Sequence, residues 1–98
     1  VLLKGDQPLS GAVVANLSPA FAEEIGRPDD NQGIIVTEIK LGTNAVTIGL
    51  QPGDVIVSVN GYSPKSTAEL AQKLLDPTKQ WQLTIRRGDQ QLTLNIRM

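Results

Sequence analysis

Few residues in this chain have types and spacings that suit chemistry. Ser63-x-Lys65-Ser66 sets two hydroxyls beside an amine, the ingredients of a serine nucleophile with a lysine base. Ser66 has a competing use: Ser66-Thr67-Ala68-Glu69 spells a capping box, in which Ser66 and Glu69 satisfy each other's helix-start donors. Asp29-Asp30-Asn31 offers oxygen ligands for a hard cation. It lacks the alternating spacing and downstream Glu of a calcium loop, and reads as a solvated turn. Arg87-Gly88-Asp89 spells an adhesion tripeptide but falls where a hairpin turn is expected. Gly11 poses a different choice. It follows a short polar loop and opens an apolar strand, so its neighbouring N–H groups can converge on an anion such as a carboxylate. A glycine there equally serves a plain bend into the strand, and the residues leave both readings open.

The chain contains no histidine, which excludes a Ser-His-Asp triad and removes the commonest general base and metal ligand. It contains no cysteine, which excludes disulfides and thiol catalysis and fits an oxidising compartment without requiring one. No cofactor or metal is implied. The net charge is −1 and the nine Lys and Arg are scattered, so the basic patch that nucleic-acid binding needs is missing. No long apolar run or basic amphipathic helix suggests membrane insertion. The chain begins at Val1 rather than Met, and is expected to be a piece of a longer protein. At 98 residues and 40% hydrophobic it makes one domain with one core. Trp81, Tyr62, Phe21 and Met98 are the only aromatic or thioether side chains, so that core must be Leu, Ile and Val.

The elements that would position these residues follow from local signals. Residues 1–8 read as a linker remnant, and 9–98 as the domain. Gly11–Asn16 is a strand. Ser18-Pro19 starts a helix, with Ser18 as cap and Phe21 and Ile25 on its inner face; Gly26 ends it. Residues 28–32 form a loop, and Gly33–Ile39 a strand. A helical turn covers Asn44–Ile48, with Thr43 as its cap and Gly49 closing it. Gln51-Pro52-Gly53-Asp54 is a turn, Val55–Val59 a β-branched strand, and Asn60-Gly61 a hairpin signal leading to a brief partner at Tyr62-Ser63. The helix opened by Ser66 carries the apolar stripe Leu70, Ala71, Leu74 and Leu75 and stops at Asp76-Pro77. Leu75 is expected to face the core, while Thr67, Leu70, Ala71 and Leu74 edge a groove. Alternation marks Trp81–Arg87 and Gln90–Arg97 as strands, turning at Gly88-Asp89.

The order Gly49-Leu50-x-x-Gly53-Asp54-Val55-Ile56-x-x-Val59-Asn60-Gly61 resembles the signature of a bacterial PDZ domain. Gly33-Ile34-Ile35-Val36, Gly42-Thr43-x-Ala45, Ala68-Glu69-Leu70 and Leu83-Thr84-Ile85-Arg86-Arg87-Gly88-Asp89 extend the likeness to the HtrA/Do-like (Deg-type) serine proteases. Gln32-Gly33, Ile48-Gly49-Leu50 and the Arg86–Asp89 turn are most similar to the second, C-terminal PDZ module of that family. The resemblance implies an α+β fold: a PDZ-like, partly open antiparallel β-barrel or sandwich of five to six strands capped by two helices, in the bacterial circularly permuted topology. It implies a periplasmic, non-catalytic module beside a trypsin-like protease domain that this chain does not contain. Its partners would be unfolded or C-terminal segments of other proteins, the linked protease domain and other PDZ modules, in a homo-oligomer. Carried over position by position, the carboxylate loop falls on Leu9, Ser10, Gly11 and Ala12, the edge strand runs from Ala12 through Val13 and Val14 to Ala15, and the helical wall is Thr67, Leu70, Ala71 and Leu74. The family pattern has apolar residues on both sides of the loop glycine. Here Ser10 and Ala12 flank Gly11, which implies a more polar, shallower pocket. The alternative roles are cage assembly and interdomain contact, or a PDZ module of a membrane zinc protease or a C-terminal processing protease.

Overall fold

Alternating apolar residues build the sheet. The computed structural model, which describes residues 1–24, 26 and 33–97, contains β1 (Ala12–Asn16), β2 (Ile34–Ile39), β3 (Val55–Val59), β4 (Gln80–Arg87) and β5 (Gln90–Arg97). Each strand pairs antiparallel with the next, giving one open sheet in the order β1-β2-β3-β4-β5. β4 and β5 set Trp81 opposite Ile96, Leu83 opposite Leu94 and Ile85 opposite Leu92, so one face of this hairpin is apolar and the other polar. That face joins Leu9, Ala12, Val14, Ile34, Val36, Ile56, Leu70 and Leu74 in the main core. Ile35, on the opposite face of β2, packs with Leu17 and Val55 in a second, smaller cluster.

Three helices close the fold: α1 (Pro19–Glu24), α2 (Asn44–Thr47) and α3 (Thr67–Lys73). Ser18 Oγ accepts the Phe21 N–H at 3.2 Å, and Ser66 Oγ accepts the Glu69 N–H at 3.1 Å, as the cap signals require. The reciprocal half of the capping box is not made: the Glu69 carboxylate instead accepts the Tyr62 hydroxyl at 2.5 Å. Thr43 holds the N-cap position of α2 without a side-chain cap bond; its hydroxyl donates instead to the Lys40 carbonyl at 2.7 Å. Asn60 (φ 51°) and Gly61 (φ 79°) make the hairpin turn, but its second arm reduces to one bridge, Val59 to Tyr62. The expected inner-face Ile25, the loop 28–32 with its Asp29-Asp30-Asn31 group, and Met98 lie outside the described residues.

Two placements differ from the pattern reading. Leu75 is 75% exposed. α3 ends at Lys73 with Leu74 as its C-cap, so Leu75 sits beyond the helical register and turns outward while Leu74 takes the buried place. Residues 1–8 fold against the domain: Leu3, Gln7 and Pro8 are buried, and Leu2 bridges to Val13. Among the described residues no helix is long and apolar enough to cross a membrane.

Candidate functional site

β1 is the first strand of the sheet, so β2 satisfies only one of its edges. The other edge runs alongside α3. Asn16 Oδ1 accepts the Thr67 N–H at 2.8 Å, clamping the end of the strand to the start of the helix. The approach to β1 is a loop whose backbone donors are mostly spoken for. Leu9 N–H donates to Gln7 Oε1 (2.6 Å), Ser10 N–H to the Gln7 carbonyl (3.2 Å) and Ala12 N–H to the Leu9 carbonyl (3.0 Å). Gly11 is the exception. At φ 96° its N–H turns out of the loop, and a Cβ there would lie 2.3 Å from the Thr43 Cβ, so both conformation and space demand glycine. One outward donor is less than the convergent nest that strong carboxylate capture uses.

The outward groups of β1 are paired with an extended segment, Val1–Leu3. Gly11 N–H donates to the Leu3 carbonyl (2.8 Å), Leu3 N–H to the Ala12 carbonyl (2.9 Å), and Val14 N–H to the Val1 carbonyl (2.8 Å). The Val1 nitrogen donates to the Val14 carbonyl at 2.9 Å. The register is antiparallel, with Leu2 opposite Val13. Leu3 is 3% exposed and belongs to the main core, whereas Leu2 points outward at 39%. Between this segment and α3 remains a cleft of about 430 Å³, lined by Val1–Lys4, Gln7, Ala68, Ala71, Gln72, Leu74 and Leu75.

The structure therefore brings together Leu9, Ser10, Gly11, Ala12, Val13, Val14 and Ala15 along one loop and strand, facing one helix. Of the helical residues, Ala71 and Leu74 line the cleft. Leu70 is buried in the main core, and Thr67 is buried with its N–H on Asn16. Ala68 and Gln72 line the cleft and were not among the sequence candidates; they lie one helical turn apart, a spacing that places them on one face. Gln7 was missed too, because a buried glutamine that staples its own loop leaves no pattern. Its Nε2 donates to the Lys4 carbonyl at 2.9 Å, its Oε1 takes Leu9, and its carbonyl takes Asn44 Nδ2 at 3.2 Å.

Two of the remaining chemical candidates, Ser66 and Arg87, have structural engagements. Ser66 Oγ caps α3. Arg87, first residue of the adhesion-like tripeptide, grips Asp54 through Nε to Oδ1 (2.9 Å) and Nη2 to Oδ2 (2.8 Å), and reaches the Gly49 carbonyl at 3.0 Å. Those hydrogen bonds to Asp54 hold the guanidinium above its ordinary pKa. Among the described residues no cluster of three or more acidic side chains forms a metal site.

The Gly11 loop, the outer edge of β1 with Val1–Leu3 along it, and α3 together border one groove. The sequence model of the PDZ domain family matches residues 6–98. This chain is a PDZ domain. It is 38% identical over 71 residues to the periplasmic serine endoprotease DegP of Escherichia coli (strain K12), covering 72% of this domain and 15% of that protein. It is 27% identical over 92 residues to the mitochondrial serine protease HTRA2 of Drosophila virilis, covering 88% of this domain and 22% of that protein. Among solved structures it superposes on the HtrA3 PDZ domain bound to a phage-derived ligand (FGRWV), with TM-score 0.76, 30% identity, and 89% and 80% of the two chains covered. The HtrA-type protease AlgW with a decapeptide gives TM-score 0.77 and 25% identity over 89% of this domain and 27% of that chain. The PDZ domain thus spans only about 15% of the DegP sequence, and corresponds to a non-catalytic portion of HtrA-type proteases.

Proposed function

We propose that this PDZ domain binds extended apolar segments and C-termini of proteins by adding them as a strand to β1, and so delivers unfolded envelope proteins to a linked trypsin-like protease in the periplasm. The observation that carries the reading is the edge of β1. Its Gly11 and Val14 donors and its Ala12 and Val14 acceptors lie along one outer edge and are bonded to the extended backbone of Val1–Leu3, so the edge takes an added strand, with an apolar cleft between that strand and α3. Main-chain bonds to that edge supply affinity without regard to sequence; the pocket filled by Leu3 supplies an aliphatic preference. That the HtrA3 PDZ domain is bound to FGRWV and that AlgW is seen with a decapeptide supports peptide binding by this domain. No chemistry is required of the domain itself.

The test is a titration of the isotopically labelled domain with a peptide ending in apolar residues, and with its amidated twin, read by backbone amide shifts. Shifts concentrated at Leu9–Ala15 and at Ala68, Ala71 and Gln72 are the expected result. With one outward loop donor, the acid should bind only a few-fold better than the amide. Unmoved resonances at millimolar peptide would refute the groove and leave assembly contacts as the domain's role.

A further inference from the structure

We propose that Val1–Leu3 is a built-in competitor, a ligand carried by the chain itself, which external segments must displace to enter the groove; the proposal rests on the reading of that groove as a peptide site. Four observations carry it. The segment adds to β1 antiparallel and in register, with both backbone groups of Val1 bonded to Val14. Its Leu3 carbonyl takes the one loop donor, Gly11 N–H, that faces the groove. It is anchored by a single side chain: Leu3 is buried, while Val1 and Leu2 are exposed. The loop that tethers it is stapled by Gln7 independently of the segment, since the Gln7 side chain bonds Lys4 and Leu9, and the Gln7 carbonyl bonds Ser10 and Asn44. The loop therefore keeps its shape when the segment leaves.

A short tether presents its end at an effective concentration in the ~mM range. An external peptide then binds with a Kd raised by the reciprocal of the fraction of domains whose groove is open. The resident also defines the class of ligand that replaces it. That ligand is an extended aliphatic segment with a Leu-sized side chain at the Leu3 position and a residue two before it beside α3, where Val1 lines the cleft. Because Lys4 continues beyond Leu3, the groove accepts the middle of a chain as well as its end.

The experiment measures binding of a fluorescein-labelled peptide, Gly-Ser-Lys-Val-Leu-Leu with a free C-terminus, to three proteins. These are the wild-type chain, Leu3→Ser, and a Leu2→Cys/Val13→Cys double variant compared oxidised and reduced. Leu2 and Val13 are directly opposed across the antiparallel pair, so oxidation locks the segment in place. Leu3→Ser should bind at least tenfold tighter than wild type, and the oxidised double variant should bind at least tenfold more weakly than its reduced form. In the free wild type the Leu3, Gly11 and Val14 amides should be protected from exchange, and saturating peptide should deprotect Leu3 alone. Equal Kd for wild type and Leu3→Ser overturns self-competition and leaves the peptide site standing, whereas equal Kd for the oxidised and reduced forms overturns self-competition and places the peptide away from β1. Should Leu3→Ser fail to fold, the redox pair decides alone. Absence of binding in every form, with Leu3 still protected, overturns the peptide site itself and the proposal with it.

Discussion

Gly11 makes the bend that its sequence context allowed, and it turns one N–H outward in doing so. It sits at φ 96°, where a side chain is strained, and its missing Cβ is the space Thr43 occupies. The same rotation points its N–H at the Leu3 carbonyl. Gly11→Ala therefore adds backbone strain and a clash together, and should cost about 2–4 kcal/mol of stability. Ser10→Ala keeps every loop backbone bond and should cost less than about 1 kcal/mol. Urea midpoints followed by Trp81, the single tryptophan and a core residue at 2% exposure, read both. Two equal midpoints would mean that the loop does not depend on the Gly11 conformation. Tyr62 offers a second residue-scale check. Its hydroxyl donates to Glu69, which stabilises the neutral phenol and raises its pKa above the ordinary 10, with desolvation and the Glu69 charge adding to the shift. A raised folded value means that the pair's contribution is complete below the ordinary pKa and is lost as pH rises through the raised one. Tyr62 is the only tyrosine, so tyrosinate absorbance reports it alone. The wild-type midpoint should lie above 10, and Glu69→Gln should move it down toward that value.

The elements divide into those that announce themselves locally and those assembled from distant residues. The caps at Ser18 and Ser66, the Asn60-Gly61 turn and the alternation of β4 and β5 depend on neighbours in sequence, and each was legible there. The pair of Asp54 with Arg87 joins the turn before β3 to the end of β4 across 33 residues, which no local pattern encodes. Asp54 is 1% exposed and also accepts the Gln51 N–H at 2.8 Å, so this carboxylate organises the whole turn. Arg87→Leu would strand it without its cation, at a cost of roughly 2–4 kcal/mol. Asp54→Asn added to Arg87→Leu should recover part of that loss, because the uncompensated charge is gone. Denaturation midpoints of the wild type, both single variants and the double give the coupling; additive losses would show that the pair is not a unit. The groove had the same division. Leu9–Ala15 was readable as loop and strand, but Val1–Leu3 is too short for alternation to register, and its partner is chosen only once the loop folds back. On α3 the apolar stripe was visible, yet its phase was not: Leu74 rather than Leu75 faces inward, because the helix ends at Lys73.

At the scale of the molecule, the sheet has two ends and treats them differently. β5 ends it with Gln91, Thr93, Asn95 and Arg97 exposed, a polar edge that discourages pairing. β1 ends it with an edge that the chain covers with its own residues 1–3, beside an apolar cleft. The covering segment is either part of the cooperative fold or a detachable piece, and a cross-link distinguishes the two. A Leu2→Cys/Val13→Cys disulfide closes a loop of about a dozen residues, which restricts the unfolded chain by about 2–3 kcal/mol. If Val1–Leu3 is docked in most native molecules, the cross-link costs the native state little and nearly the full amount appears as stability. If the segment is mostly detached, cross-linking restricts the native and unfolded states alike, and the gain falls toward zero. The bonds to Gly11, Ala12 and Val14 and the burial of Leu3 predict docking, hence a rise of about 2–3 kcal/mol in the oxidised form over the reduced. Urea unfolding of the two forms, followed by Trp81, makes the measurement. A full gain with weaker peptide binding on oxidation would mean that the chain stabilises itself with the same contacts it surrenders to a ligand. A full gain with unchanged binding would make the segment a structural strand and place the peptide elsewhere.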